Sequence, residues 1–220
     1  MEQSTRAERI ITMLRQATKG MVPPASITLV ERYGRNPYIM LISCILSLRT
    51  KDTVSLPASI RLFEHAQTPE QMVAVSVQTI MDTIYPVGFY KRKAAGIIAL
   101  SHELITRFGG QVPERFEELI SLPGVGPKTA NLVIAEGFGK SAICVDTHVH
   151  RISNRLGLVK TTTPEQTEIE LKKVLPPEYW REYSALIVMW GQNICVPISP
   201  FCSKCPIFDL CERRGVERSR

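Results

Sequence analysis

Three groups of side chains in this 220-residue chain have the types and spacing to do chemistry. Cys195, Cys202, Cys205 and Cys211 fall within seventeen residues in the pattern C-x6-C-x2-C-x5-C. The segment that carries them is rich in proline and poor in apolar anchors. It buries too little surface to hold its own shape, so four thiolates converging on a metal supply what is missing. With every ligand position filled by protein such a centre is structural, and four thiolates suit zinc and a [4Fe-4S] cluster alike. A disulfide framework belongs to small secreted domains, and Glu2, Arg6, Glu8 and Arg9 interrupt the start where a secretory leader carries its apolar run. Cys44 and Cys144 lie in apolar runs and read as small buried hydrophobes.

The second group is Leu122-Pro-Gly-Val-Gly-Pro-Lys128, set between two apolar helical patterns. Gly124 and Gly126 allow a tight turn that leaves the amides around Val125 uncovered, and Pro127 suits the first position of the next helix. Free amides at a helix N-terminus attract phosphate, so Gly124, Val125 and Gly126 read as a grip on a nucleic-acid backbone without sequence preference. A plain helix–helix turn is the alternative. Lys128 adds a second signal. A cation in the first turn opposes the helix dipole at about 0.3–1 kcal/mol, and the same field favours the neutral amine that a lysine nucleophile needs. A phosphate-binding lysine is the competing role, and arginine would serve it equally.

The third group is Asp146, which closes the apolar run Ala142–Val145 and precedes another helical pattern. Taken alone it is a helix N-cap. A capped carboxylate facing Lys128 would also stabilise positive charge developing on a sugar, or assist proton transfer.

The elements that must position these groups are helical almost throughout. Apolar residues recur at three-to-four spacing around Ile10–Leu14 and over 37–48, 60–63, 97–108, 116–120, 129–138, 149–158, 167–175 and 183–194, and no stretch alternates as a strand does. Glycine and proline punctuate the pattern with short loops, and Pro57 is expected to kink or delay its helix. The longest apolar stretch, Tyr38 to Leu48, is too short to span a bilayer, so a cytoplasmic, nucleoid-associated monomer is expected. A net charge of +6 permits a polyanionic partner. Basic residues gather at Lys91–Lys93 and at Arg151–Arg155, beside His148, which is read as a DNA contact.

Taken together, the hairpin ending in Lys128, the Val-Asp-Thr-His segment eighteen residues later and the cysteine loop resemble the endonuclease III family of helix-hairpin-helix DNA glycosylases. The resemblance runs from Pro37 to Cys211. It implies an all-α fold of two lobes: a six-helix barrel over 30–139 with the helix-hairpin-helix, and a second lobe formed by 1–29 with 140–220. Double-stranded DNA carrying a damaged base or abasic site would lie across the cleft between them, and the cysteines would hold a [4Fe-4S] cluster.

The implied activity is that of a bifunctional glycosylase and abasic-site lyase of base excision repair, acting on oxidised pyrimidines. Lys128 would form a Schiff base and Asp146 would support departure of the base. Monofunctional relatives generally lack a lysine at this place. One departure from the family pattern is Arg49, where the bacterial enzymes typically carry glutamine. It would fill the gap left by the flipped nucleotide and meet the orphaned base, or hold a phosphate. Phe89 occupies the place of a second apolar wedge, with an ordinary buried aromatic as the alternative. Two other readings stand beside this one: a monofunctional glycosylase for thymine or uracil opposite guanine, and a zinc-stabilised DNA-binding protein without activity.

Overall fold

The computed structural model describes residues 2–220. In chain order its helices are α1 (Glu2–Ala17), α2 (Ala25–Tyr33), α3 (Pro37–Ser47), α4 (Asp52–His65), α5 (Pro69–Ala74), α6 (Val77–Ile84), α7 (Tyr90–Phe108), α8 (Phe116–Ile120), α9 (Pro127–Leu132), α10 (Thr147–Leu156), α11 (Pro164–Val174) and α12 (Trp180–Asn193). A π-helical stretch, Val133–Gly137, continues α9, and no strand occurs among the described residues. The fold is all-α.

The chain divides into two compact units, Ala25–Lys140, and Met1–Pro24 joined with Ser141–Arg220. In the first, α3 is the central element. Asn36 caps it by accepting from the Tyr38 and Ile39 amides at 3.0 and 3.1 Å, Pro37 sits in its first turn, and every residue from Tyr38 to Leu46 is buried. A helix apolar on all sides must be enclosed on all sides, and α2, α4, α7, α9 and the π-helical stretch do this. Each fully buried Leu or Ile here contributes about 1.5–3 kcal/mol. No described helix is long and apolar enough to cross a membrane.

Pro57 does not delay α4, which begins at Asp52 and runs through it. The carbonyl that loses its donor belongs to Thr53, and both residues are exposed, so that carbonyl is open to solvent and carries no burial penalty. Three helices have no clear periodic pattern in the sequence. Of these, α5 and α6 are only 6 and 8 residues long. What marks them is capping: Thr68 accepts from the Gln71 amide ahead of Pro69, and Ser76 accepts from the Thr79 amide. The third, α2, places Leu29 in the core around α3.

In the second unit α10 packs on α12 and α1 packs on both α11 and α12. Ala7, Ile10, Ile11 and Leu14 of α1 meet Val149, Ile152 and Leu156 of α10 and Tyr183, Ile187 and Trp190 of α12 in one core. Arg6 donates to the Leu156 and Leu210 carbonyls at 2.5 and 2.7 Å, so α1 also fastens the end of the cysteine loop.

Candidate active site and metal centre

The hairpin is anchored by apolar side chains before and between its glycines. Leu122 and Val125 are buried in the core of their unit, so Val125 can offer a ligand only its backbone. Gly124 is exposed at φ +78°, a conformation that glycine adopts without strain. Gly126 caps α9 and brings no side chain to occupy the first-turn amides. Lys128 is exposed in that first turn, near enough to α3 for its charge to act on the buried Cys44 thiol. Burial pushes that thiol up to about 12, so Cys44 is a packed hydrophobe and no competing nucleophile. Cys144 is likewise buried, its amide donating to Ser184 Oγ at 3.1 Å.

Arg49 and Phe89 come together although forty residues apart, the Arg49 guanidinium lying 6.0 Å from the Phe89 ring centroid. Both are exposed, and both hold left-handed backbone, φ +53° and +59°. Left-handed backbone costs a side-chain-bearing residue about 1–3 kcal/mol and persists only where its surroundings impose it. The other non-glycine residues with positive φ among the described residues are Ser199 and Arg213, within and just after the cysteine segment. Strain thus gathers at the two candidate sites. Lys93, which the sequence groups with exposed Lys91 and Arg92, is instead buried and donates to the Leu46 and Leu48 carbonyls and to Thr50 Oγ1 at 2.7, 2.6 and 3.2 Å. Its phase gave the signal: Lys93 shares the stripe of Ile97, Leu100 and Leu104 on α7.

Asp146 is the N-cap of α10. Its Oδ1 accepts from the His148 and Val149 amides, both at 2.8 Å. His148 is half-buried, with Nδ1 3.2 Å from Arg151 Nη2, and its ring packs so closely on Gly191 of α12 that a Cβ there would collide with it. The arginines one and two turns further along α10 face inward within their unit. Arg151 donates to the Cys195 carbonyl at 2.8 Å, and Arg155 donates to the Val196 and Pro197 carbonyls at 2.8 and 2.6 Å and to Cys195 Sγ at 3.4 Å. The basic cluster at 151–155 is therefore in part a clamp on the first limb of the cysteine loop, and one helix joins Asp146 to that loop.

Cys195, Cys202, Cys205 and Cys211 line a single recess, partly open to solvent, with Arg155, Phe201 and Phe208. Burial, reinforced by the neighbouring cysteines, pushes the Cys205 thiol up to about 11 and raises that of Cys211. Four bare thiolates would therefore repel one another, and a cationic core would reverse the balance. The buried Trp190 indole N–H finds no acceptor at normal hydrogen-bond geometry, yet its proximity lowers the Cys205 thiol against the effect of burial. A thiolate held there would satisfy it. Four thiolates in one recess suit zinc and a [4Fe-4S] cluster alike.

Residues 42–177 match the model of the HhH-GPD superfamily base excision DNA repair protein. Endonuclease III of Thermotoga maritima is 45% identical over 203 residues, covering 89% of this chain and 95% of that protein. Endonuclease III of Bacillus subtilis is 36% identical over 201 residues, covering 91% and 90%. Among solved structures, a non-covalent endonuclease III–DNA complex and a trapped endonuclease III–DNA covalent intermediate each superpose with a TM-score of 0.83 at 33% identity, covering 96% of this chain and 95% and 96% of theirs. With its helical hairpin, its capped aspartate and its four-cysteine recess, the chain belongs to the endonuclease III family.

Proposed function

We propose that in this glycosylase and abasic-site lyase of base excision repair Lys128 is the nucleophile, Asp146 the supporting carboxylate, and the four cysteines the ligands of a [4Fe-4S] cluster. Lys128 carries the reading: it is an exposed amine in the first turn of a hairpin helix, in a chain similar to one trapped covalently on DNA. The hairpin amides at Gly124–Gly126 hold a backbone phosphate, and the damaged nucleotide leaves the stack at an unstacking cost lowest for a lesion. The neutral Lys128 amine attacks C1′, the glycosidic electron pair departs with the base, and the base takes up a proton. Asp146 stabilises the positive charge that develops on the sugar. The ring oxygen gains a proton as the sugar opens to a Schiff base with Lys128. Loss of a C2′ proton then expels the 3′ phosphate, and water releases the lysine.

The substrate class is oxidised pyrimidine, with Arg49 meeting the orphaned base and Phe89 holding the gap open; guanine offers arginine two acceptors. A panel of duplexes, each with one oxidised pyrimidine, uracil, or thymine opposite guanine, tests this. Cleavage of the oxidised pyrimidines is expected to exceed that of the others by at least about tenfold, the scale of one good base contact. Preference for uracil or thymine opposite guanine would overturn it. Arg49→Gln on the same panel is expected to relax the choice of opposite base.

The four-thiolate donor set of the recess suits a [4Fe-4S] core, which Cys195, Cys202, Cys205 and Cys211 would hold. When bound, the cluster supplies a fixed charged scaffold for the loop, and Arg151 and Arg155 tie that scaffold to the helix Asp146 caps. Purified protein is expected to be brown, with about four irons per chain and no stoichiometric zinc. Stripping the iron should melt the loop and lower the thermal midpoint. Colourless, zinc-loaded protein of full activity would remove the cluster.

A further inference from the structure

The Arg49 and Phe89 backbones are strained, exposed and far apart in sequence, so something must hold them. Leu46 and Leu48, whose carbonyls Lys93 bonds, end α3, where unpaired carbonyls and the negative end of the dipole favour a cation. Leu48 and Thr50 flank Arg49 on either side, so bonds to their carbonyl and hydroxyl fix the turn that presents it. On the other strand of the contact, the Lys93 amide donates to the Phe89 carbonyl at 3.0 Å, and the Gly88 amide donates to the same Thr50 Oγ1 at 3.2 Å. Gly88 is needed for that approach, because a Cβ there would lie 3.1 Å from the Arg49 carbonyl oxygen. The three ammonium donors of Lys93 are thereby all used.

We propose that Lys93 is a positioning residue: its buried ammonium braces the turn at Arg49 against the start of α7 and so keeps Arg49 and Phe89 as one preformed wedge. The proposal rests on the reading that these two side chains enter the duplex. A wedge fixed in advance loses no further conformational freedom when it inserts. Burial alone lowers the Lys93 ammonium to about 8, with no neighbouring charge contributing; its partners are two carbonyls and a hydroxyl, and the cation nearest in sequence to them is Arg49. Two opposed trends follow. Between about 8 and the ordinary 10.5 the unfolded chain binds the extra proton, so this group makes folding stability rise with pH. Over the same range the brace loses its charge and the wedge its support.

The test uses a duplex in which 2-aminopurine faces a tetrahydrofuran abasic-site analogue, read by the fluorescence that appears when the orphaned base unstacks on saturation with protein. Lys93→Met is expected to lower the unstacking equilibrium about tenfold at pH 7, the scale of losing hydrogen bonds to a charged donor. Wild-type signal should fall between pH 7 and 9.5 with a midpoint near 8, Lys93→Met should be flat, and Lys93→Arg should keep its signal at pH 9.5. Thr50→Val, which removes the acceptor shared by Gly88 and Lys93, should lower the signal about threefold and serves if Lys93→Met does not fold. Folded Lys93→Met or Thr50→Val with wild-type signal and pH profile overturns the brace. If Arg49→Ala and Phe89→Ala themselves leave the signal unchanged, the wedge reading fails instead.

Discussion

Replacing Lys128 with alanine is expected to abolish the adduct that borohydride traps on an abasic-site duplex and to lower strand cleavage by at least about three orders of magnitude, the order reported for removing a covalent nucleophile. Stability should hardly change, within about 0.5 kcal/mol, because the side chain is exposed and its loss opens no cavity. Lys128→Arg separates the two roles a lysine could have here. Arginine keeps the charge and any phosphate contact but stays protonated, so it should bind DNA and still trap nothing. An adduct undiminished in Lys128→Ala would move the nucleophile elsewhere. Cys44 is no candidate, since its thiol is buried and pushed up to about 12.

The hairpin turn before Lys128, the helix cap at Asp146 and the gathering of the four cysteines were legible in the sequence because each is marked by its immediate neighbours. Glycine and proline around a turn, an aspartate after an apolar run, and thiols at fixed spacing are local signals, and the structure adds only their surroundings. Features built from distant partners were not legible. Arg151 and Arg155 look like a DNA-facing basic stripe until Cys195, Val196 and Pro197, about forty residues on, close around them. Lys93 looks like one of three exposed cations until the end of α3 supplies its acceptors. The strained backbone at Arg49 has no glycine to announce it, since the conformation is imposed by those same long-range bonds. The π-helical turn at Val133–Gly137 is equally hidden; at its end Gly137 lies so close to Pro37 that a Cβ would clash with its backbone. Helix existence follows from period, whereas the short α5 and α6 follow only from their caps.

Asp146 allows a sharper separation, because its structural and chemical duties depend on different properties of one side chain. The cap needs an oxygen that accepts from the His148 and Val149 amides, and the chemistry needs a negative charge. Asparagine supplies the first without the second and is as good an N-cap as aspartate. Asp146→Asn should therefore keep the thermal midpoint of the wild type while base release falls at least about a hundredfold, the lower end of what charge stabilisation or proton transfer supplies. Asp146→Ala should lose the same activity and, in addition, about 1 kcal/mol of stability, seen as a fall of about 2–4 °C for a chain of this size. Strand cleavage at a preformed abasic site should suffer less in both variants, since no base has to depart. Equal and undiminished base release by Asp146→Asn would leave Asp146 as a helix cap and return the charge stabilisation to the unassigned side chains around the sugar.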